Sequence, residues 1–412
     1  MSKRNAIILI LLVFIIILAG LLWWYFLNKE SIPQTNTTTN SPVTSLFGEN
    51  TGETTQQEPE VLTTASGTLP VGETADLRQI YASPNSGFVI FTKNNEIKIR
   101  FVDRATGNVY ETTPNSEEII RITNTTIPQV EETVWNSNGN SLILRYLKSD
   151  NETIENFSGK IKISTSTTNS FIGEITGIFL PENAKEIAIN PSGTKVFTLI
   201  EKQDNSGSYG ITSNLEGSSK NQNFDSKISK WQVSWPKENI ISFTTKPTYV
   251  NEGFLYFFNI NTNSFEKIFG NVSGLTTLIN KDASAFVYSK SLRNSISLNF
   301  FNIKNSNDKN LQIATITDKC VWSKTEKTVV YCAVPKNIPT GSYPDMWYQG
   351  LVSFSDNLWK IDTDSGATSM IYEISKEGNT NIDIMDIKIS DDDKYITFTN
   401  RNDLTLWGLK IK

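Results

Sequence analysis

The stretch ISDDDKYI, residues 389–396, joins two apolar runs through a segment of turn-forming residues. Ser and Asp suit tight turns, whereas the flanking isoleucines favour β-strands. Anchors with the same seven-residue offset recur along the chain: Tyr81 and Phe88, Trp135 and Leu142, Ile189 and Val196, Val233 and Ile240, Leu278 and Ala285, Trp322 and Val329, and Ile389 and Ile396. Repeats of roughly 40 to 50 residues are typical of a β-propeller, in which each repeat forms one blade. The pattern therefore predicts an all-β fold, a β-propeller of seven blades.

A second pattern lies later in the repeats. The segment IKIRFVDRATG (97–107) is an alternating strand followed by an acidic turn and a glycine, and WKIDTDSG (359–366) repeats it. FFNINTN (257–263) is a looser copy. Each repeat can therefore hold four short strands joined by hairpin turns.

These motifs resemble the TolB-like and WD40-like propeller families, whose repeats read W-S-P-D-G-K-x-I-x-F and, later, I-x-x-x-D-x-x-T-G. WNSNG (135–139), NPSG (190–193) and SDDDKYITF (390–398) carry the match. The chain is also similar to membrane-anchored propeller proteins of small-genome candidate-phylum bacteria, through FVDRATG (101–107) and YPDMWYQG (343–350). The resemblance spans about residues 77 to 412 and implies the fold, but no particular activity, since propellers host many functions.

A closed ring needs a partner for its last blade. The residues after Ile396 supply that blade with only about three strands. We expect the fourth strand from residues 60–64 or from residues 76–80, because pairing the two ends of the domain removes exposed sheet edges.

The N-terminal segment predicts a membrane anchor. Residues 6–27 form an uncharged run of 22 residues, long enough to cross a hydrocarbon core of about 30 Å. Lys3 and Arg4 precede the run, and this bias places the tail, residues 1–5, in the cytoplasm. The alternative is a cleaved signal peptide, but the run ends in LWWYFL (22–27), which lacks the small residues of a cleavage site.

The anchor predicts the organisation of the remaining chain. Residues 28–60 are rich in Thr, Ser, Asn and Pro, so we expect a flexible, disordered stalk. Residues 61–412 then form the propeller domain. The protein is accordingly expected in the cell membrane, crossing it once, with the propeller on the extracytoplasmic side.

Composition excludes several functions. The 412 residues include no histidine, which removes the Ser-His-Asp triad and the HExxH zinc site. The net charge is −5 with scattered Lys and Arg, so no nucleic-acid partner is expected. We expect no catalytic residue, metal or other cofactor. The densest carboxylate group, Asp391 to Asp393, is interpreted as a solvated turn, with a calcium site as the alternative.

The chain contains two cysteines, Cys320 and Cys332, on either side of one predicted hairpin. If Lys324 pairs with Thr328, the two cysteines lie opposite each other and can form a cross-strand disulfide in an oxidising compartment. The alternative is two separately buried thiols, which a register change of one residue would produce.

The most individual segment is residues 335–359, which lies in the longest interval between anchors. Insertions between propeller strands emerge on a face of the disk, where loops carry binding functions. Aromatic residues and Met are enriched at interaction surfaces. The segment therefore predicts a partner-binding loop, and the alternative is a lid folded inward over the neighbouring blades. The candidate binding residues are Tyr343, Met346, Trp347, Tyr348 and Trp359.

Together these features predict a non-catalytic binding or scaffold module, anchored in the membrane, for a protein or a cell-envelope component. The alternative is an extracytoplasmic carbohydrate-active enzyme with carboxylates near the propeller channel. Convergent acidic groups at the mouth of the ring would favour the enzyme.

Overall fold

A computed structural model describes residues 61–63, 76–163, 173–292, 295–374 and 381–411. These residues form seven antiparallel sheets, which are the blades of a propeller. The predicted all-β fold with seven blades is confirmed. The segments predicted as cytoplasmic tail, anchor and stalk lie outside the described residues.

Each blade has four main strands, and the first strands of successive blades surround the central axis. From the inside outward, blade 1 contains β3 (Asn85–Lys93), β4 (Glu96–Asp103), β5 (Val109–Thr112) and β6 (Glu118–Arg121). Blade 2 contains β7 (Val130–Trp135), β8 (Ser141–Leu147), β9 (Ile154–Ile163) and β10 (Gly173–Phe179). Blade 3 contains β11 (Ala184–Ile189), β12 (Lys195–Glu201), β13 (Ser208–Asn214) and β14 (Asn221–Ser226). Blade 4 contains β15 (Trp231–Lys237), β16 (Ile240–Thr245), β17 (Glu252–Asn259) and β18 (Ser264–Ser273). Blade 5 contains β19 (Thr276–Ile279), β20 (Ala285–Leu292), β21 (Ser295–Asn302) and β22 (Asn307–Ile313).

Blades 6 and 7 complete the ring. Blade 6 begins after a 3-10 turn (Thr317–Lys319) and contains β23 (Cys320–Trp322), β24 (Val329–Pro335), β25 (Asp356–Asp362) and β26 (Thr368–Tyr372). Blade 7 contains β27 (Ile384–Ile389), β28 (Tyr395–Asn400), β29 (Leu406–Lys410) and, from the other end of the domain, β2 (Leu77–Tyr81). Within the insertion of blade 6 lies a short helix, α1 (Asp345–Tyr348).

The ring is closed by the pairing of β2 with β29, in which Leu77 lies opposite Leu409. One of the two segments expected to close the ring, residues 76–80, therefore supplies the outer strand. The other does not reach blade 7, because β1 (Val61–Thr63) pairs with β6 as a fifth strand of blade 1.

Six of the seven predicted anchor pairs lie on the first two strands of one blade, as in the direct pairing of Trp135 with Leu142. The prediction for Tyr81 and Phe88 is wrong. Tyr81 ends the outer strand of blade 7, whereas Phe88 lies in the inner strand of blade 1. Pro, Asn, Ser and Gly serve equally well where the chain crosses between blades, so composition alone does not separate the two kinds of turn.

The core consists of apolar layers between neighbouring blades. Between blades 3 and 4, the ring centroids of Phe224 and Phe243 lie 4.3 Å apart, and Phe197 packs edge-on against Phe243. Such aromatic pairs contribute beyond the area that they bury. The blades are thereby fixed side by side, with few apolar residues left for the two faces of the disk.

The two faces differ because the strands form antiparallel meanders. Turns between the first and second strands and between the third and fourth lie on one face, the turn face, and all other connections lie on the opposite face, the lid face. On the turn face, the Thr92 hydroxyl donates to Asp391 over 2.8 Å, and the backbone N–H of Lys324 donates to Asp393 over 2.9 Å. These carboxylates therefore join blade 7 to blades 1 and 6. Burial alone would raise the pKa of Asp393, but hydrogen bonds from Ser323 and Thr325 outweigh it and hold the pKa below its ordinary value.

A search of the described residues found no helix with the length and apolar character needed to cross a membrane. The run predicted as the anchor, residues 6–27, is not among those residues.

The closing strand yields a first prediction. Ile80 is 2 % exposed and belongs to the core beside β29. Replacing it with alanine (Ile80→Ala) is expected to lower the free energy of unfolding by about 2–4 kcal/mol, through lost apolar burial and an unfilled cavity. Chemical denaturation measures the change. Ile120→Ala, at a residue 42 % exposed in blade 1, is the control and should change stability by less than about 0.5 kcal/mol. Equal effects of the two variants would contradict a closing role for β2.

Candidate functional site

The candidate site is built around residues 336–355, which connect β24 to β25 and which we call the lid. The lid extends from blade 6 across blade 5 to blade 4. The hydroxyl of Ser291 in blade 5 donates to the carbonyl oxygen of Tyr343, and the carboxylate of Asp345 accepts hydrogen bonds from Thr248 Oγ1 (2.9 Å) and the N–H of Tyr249 (2.5 Å) in blade 4. These contacts hold the lid against the face of three blades.

The lid has a small core of its own. Tyr343 is fully buried and Trp347 is 4 % exposed, and both pack with Phe354. The Tyr343 hydroxyl donates to the Pro339 carbonyl over 2.7 Å. These two aromatic residues therefore fold inward over the neighbouring blades, which was the alternative to a partner-binding loop.

The remaining residues of the predicted binding loop have different surroundings. Met346 and Tyr348 are partly buried in the lid. Trp359 lies apart from them, in β25, where it packs against the core that includes Cys320 and Cys332. The structure therefore brings together four of the five residues and leaves Trp359 in the blade. A partner contact by any of them stays a prediction.

A buried charged cluster lies under the lid. The Lys319 ammonium, completely buried, donates to Asp356 Oδ2 (2.6 Å), to Asp383 Oδ1 (2.5 Å) and to the Ile384 carbonyl oxygen (2.9 Å). Both carboxylates are also fully buried. Removing one member would leave a charge without its partner, which is strongly unfavourable.

The same cluster fastens the lid to the ring. Trp347 Nε1 donates to Asp383 over 3.2 Å, and the backbone N–H of Phe354 donates to Asp383 Oδ2 over 3.1 Å. From blade 7, the Arg401 guanidinium donates to the Trp347 carbonyl oxygen and lies 4.8 Å from the centroid of its ring. The lid is consequently anchored through charge-assisted hydrogen bonds.

Tyr348 connects the lid to residues beside the central channel. Its hydroxyl donates to Asp318 Oδ2 over 2.9 Å and accepts a hydrogen bond from Gln232 Nε2 over 3.1 Å. Gln232 belongs to the inner strand of blade 4, while Asp318 precedes the inner strand of blade 6. One phenol thus connects residues from two blades that are not neighbours. Burial, and then the negative charge of Asp318, raise the pKa of Tyr348 well above its ordinary value, so the hydroxyl keeps its proton.

Two further carboxylates lie near the lid-face ends of inner strands, Glu132 in β7 and Glu186 in β11. Burial, and second the negative charge of Glu132, raises the pKa of Glu186 to about 7. Glu132 is more exposed and pairs with Arg145. Burial also raises the pKa of Asp318. Acidic groups from blades 2, 3 and 6 therefore converge on this mouth of the channel.

The two cysteines are joined. Cys320 pairs directly with Cys332 across β23 and β24, with a Cα–Cα distance of 4.1 Å and an S–S distance of 2.12 Å. Because Lys319 is the neighbour of Cys320, the disulfide lies at the base of the lid.

The described residues contain no group of three or more acidic, histidine or cysteine side chains placed to hold a metal ion. This holds for the described part of the acidic mouth and for the Asp391 to Asp393 turn alike. The carboxyl, amide and phenol groups at the mouth can form hydrogen bonds and exchange protons.

Sequence reasoning missed Lys319, Asp356 and Asp383, as well as Glu186. Each is a charged residue at or near the start of a strand. A lysine beside an apolar strand, in the sequence TDKCVW (317–322), was a weak signal, because burial of its ammonium depends on two carboxylates far away in sequence.

Comparison with known protein families and with curated proteins found no match to this sequence. Solved structures do share its fold. An oligogalacturonate lyase from Vibrio parahaemolyticus is similar with a TM-score of 0.51 and 11 % identity, over 82 % of this chain and 92 % of that one. The propeller domain of the Trilobed protease from Pyrococcus furiosus is similar with a TM-score of 0.50 and 13 % identity, over 80 % and 97 %.

TolB from Acinetobacter baumannii is also similar, with a TM-score of 0.43 and 9 % identity over 66 % of this chain and 63 % of that one. At these identities the two likenesses with TM-scores of 0.50 and 0.51 show the fold, a β-propeller, and nothing of the chemistry of this chain.

The acidic mouth yields a prediction on pH. Because the folded state raises the pKa of Glu186 from 4.5 to about 7, folding favours its protonated form. Stability is therefore expected to decline as the pH rises through this window and to level off above it. Glu186→Gln, which cannot ionise, should lose this decline, as measured by chemical denaturation at a series of pH values.

The exposed Glu216→Gln is the matched control, since its carboxylate lies in a solvated turn. Glu132→Gln removes the neighbouring negative charge and so lowers the pKa of Glu186. In this variant the decline in stability should therefore end at a lower pH. An unchanged pH dependence in Glu186→Gln would show that this carboxyl does not titrate in the window.

Proposed function

We propose that the protein is a binding module that captures a protein or a cell-envelope component with the lid face of its propeller. In this proposal residues 6–27 anchor it in the membrane and residues 28–60 hold the propeller away from the bilayer on the extracytoplasmic side. The observation that carries the proposal is the unequal distribution of exposed apolar side chains over the surface.

Five of the nine large apolar side chains that are exposed among the described residues belong to the lid face. Two end the strands β8 and β10, two lie in loops between strands, and one lies in the lid. They are Leu147, Phe179, Ile228, Val250 and Leu351. Apolar residues gathered on one face, between polar loops, are typical of protein interaction sites.

Val250 and Leu351 are the most exposed of the five, at 78 % and 67 %. Val250 belongs to the blade 4 loop that donates two hydrogen bonds to Asp345, and Leu351 lies three residues after the end of α1. Both therefore lie on loops whose backbones are fixed by the lid. A fixed loop loses little conformational entropy on binding, which favours affinity.

A second candidate function is a carbohydrate-active enzyme that uses carboxylates at the channel mouth. The observation favouring it is the convergence of Glu186, Glu132 and Asp318. A carboxyl whose pKa is near 7, as at Glu186, can donate a proton to a leaving group, while a more exposed carboxylate such as Glu132 can act as a base.

The binding proposal predicts that charge on the lid face blocks capture. Val250→Asp and Leu351→Asp each place a carboxylate in the apolar surface, and each should weaken binding at least tenfold, because the partner would have to desolvate it. The measurement is recovery of partners from cell-envelope extracts by the full chain, followed by titration of the recovered partner. Met370→Asp, on the outer strand of blade 6, is the matched control and should bind like the wild type. Equal recovery by all four proteins would reject the lid face as the site.

The enzymatic alternative predicts activity on glycans that depends on the mouth. Glu186→Gln and Asp318→Asn should each lower the rate by about 100-fold or more, because they remove groups able to transfer protons. Asp282→Asn, on the turn face, is the control and should keep full activity. Activity that survives both substitutions at the mouth would exclude this mechanism.

A further inference from the structure

The buried cluster beneath the lid holds an amine and two carboxyl groups in contact, without exposure to solvent. Lys319, Asp356 and Asp383 each have no accessible surface, and Lys319 Nζ lies 5.3 Å from the ring centroids of both Trp347 and Phe354. Reactants held in contact in a dry site react with effective concentrations far above those in solution.

The two carboxyl groups differ in their hydrogen bonds. Both oxygens of Asp383 accept hydrogen bonds from Trp347 Nε1, and Oδ2 accepts a further one from the backbone N–H of Phe354. Asp356 Oδ2 accepts from Lys319 and from the N–H of Ile384, whereas its buried Oδ1 has no hydrogen-bond partner in the part of the chain that the structure describes. Burial raises the pKa of Asp356. Both oxygens of Asp383 therefore have hydrogen-bond partners, while Oδ1 of Asp356 has none among the described residues.

We propose that Lys319 and Asp356 condense to an intramolecular isopeptide bond, with Asp383 as the catalytic proton carrier. One proton first passes from the Lys319 ammonium to the Asp356 carboxylate along their 2.6 Å hydrogen bond, and the resulting neutral amine attacks Cγ of the protonated carboxyl. Asp383 accepts the proton released from Nζ and donates it to the departing hydroxyl group of Asp356. One C–O bond breaks, one C–N bond forms and one water leaves, while Asp383 returns to its starting state, so no oxidant or other reactant is needed.

The bond would join the residue before β23 to the first residue of β25, in the blade where Cys320 and Cys332 already join β23 to β24. A buried ion pair can contribute little stability because both charges lose their hydration. An amide in its place removes both charges and fixes the base of the lid covalently.

The test is peptide mapping of the full chain, purified in detergent, reduced, denatured and digested with trypsin. Acylation of Lys319 blocks cleavage there, so the expected product is Asn310–Lys324 joined to Asn337–Lys360, at the summed mass of both peptides less one water. Lys360 and Glu326 provide an internal control, since they lie 2.7 Å apart in the same blade but are exposed to solvent, and should remain unlinked. Stoichiometric recovery of the free peptide ending at Lys319 from folded protein would overturn the proposal.

The role of Asp383 has its own variant. Asp383→Asn keeps both reacting groups but removes the proton carrier, and it should lower the linked fraction at least tenfold. Full linkage in Asp383→Asn would reject the catalytic role. Lys319→Arg removes the nucleophile and should contain no linked peptide, so any linked product in it would reject Lys319 as the amine. The wild-type map decides the existence of the bond even where a variant fails to fold.

Discussion

The structure depends on the antiparallel pairing of β2 with β29. Without it, blade 7 has three strands and an open edge, and no strand pairing joins the two ends of the ring. A further contact between the two ends lies nearer the axis: Asn85, the first residue of β3 in blade 1, donates a hydrogen bond to the carbonyl oxygen of Leu404. Closure adds a strand pairing to the apolar layers between blades, in a ring whose inner strands hold Glu132, Glu186 and Gln232 near one mouth of the channel.

The sequence predicted the number of blades because turn chemistry and strand propensity are local properties. The first anchor pair was misread for the same reason, since the crossing from Tyr81 to Phe88 uses the residues of a hairpin turn. Residues 60–64 were one of two candidates for the closing strand, but the fold pairs β1 with β6 instead of with blade 7. Strand pairing is non-local, and residue pattern alone carries little information on it.

The candidate site was less predictable than the fold. The insertion was recognised through its aromatic residues, yet Tyr343 and Trp347 are buried in a cluster that includes Ile296 of blade 5, Ile316 and Met385 of blade 7. Lys319 meets Asp356 and Asp383 from 37 and 64 residues away. No short sequence motif predicts these contacts, and none predicts the hydrogen bonds of Tyr348 with Asp318 and Gln232. Each depends on which loops share a face, which is known only once the ring is closed.

The position of β2 at the beginning of the domain also sets an order for synthesis. A ribosome produces residues 77–81 early, but their partner strand is made more than 300 residues later, as the separation of 319 between Asn85 and Leu404 illustrates. Until then, β2 has no sheet to join, while blades 2 to 6 already contain all of their own strands. Blade 7 is consequently the last to assemble on a growing chain, and its early strand must stay available throughout translation.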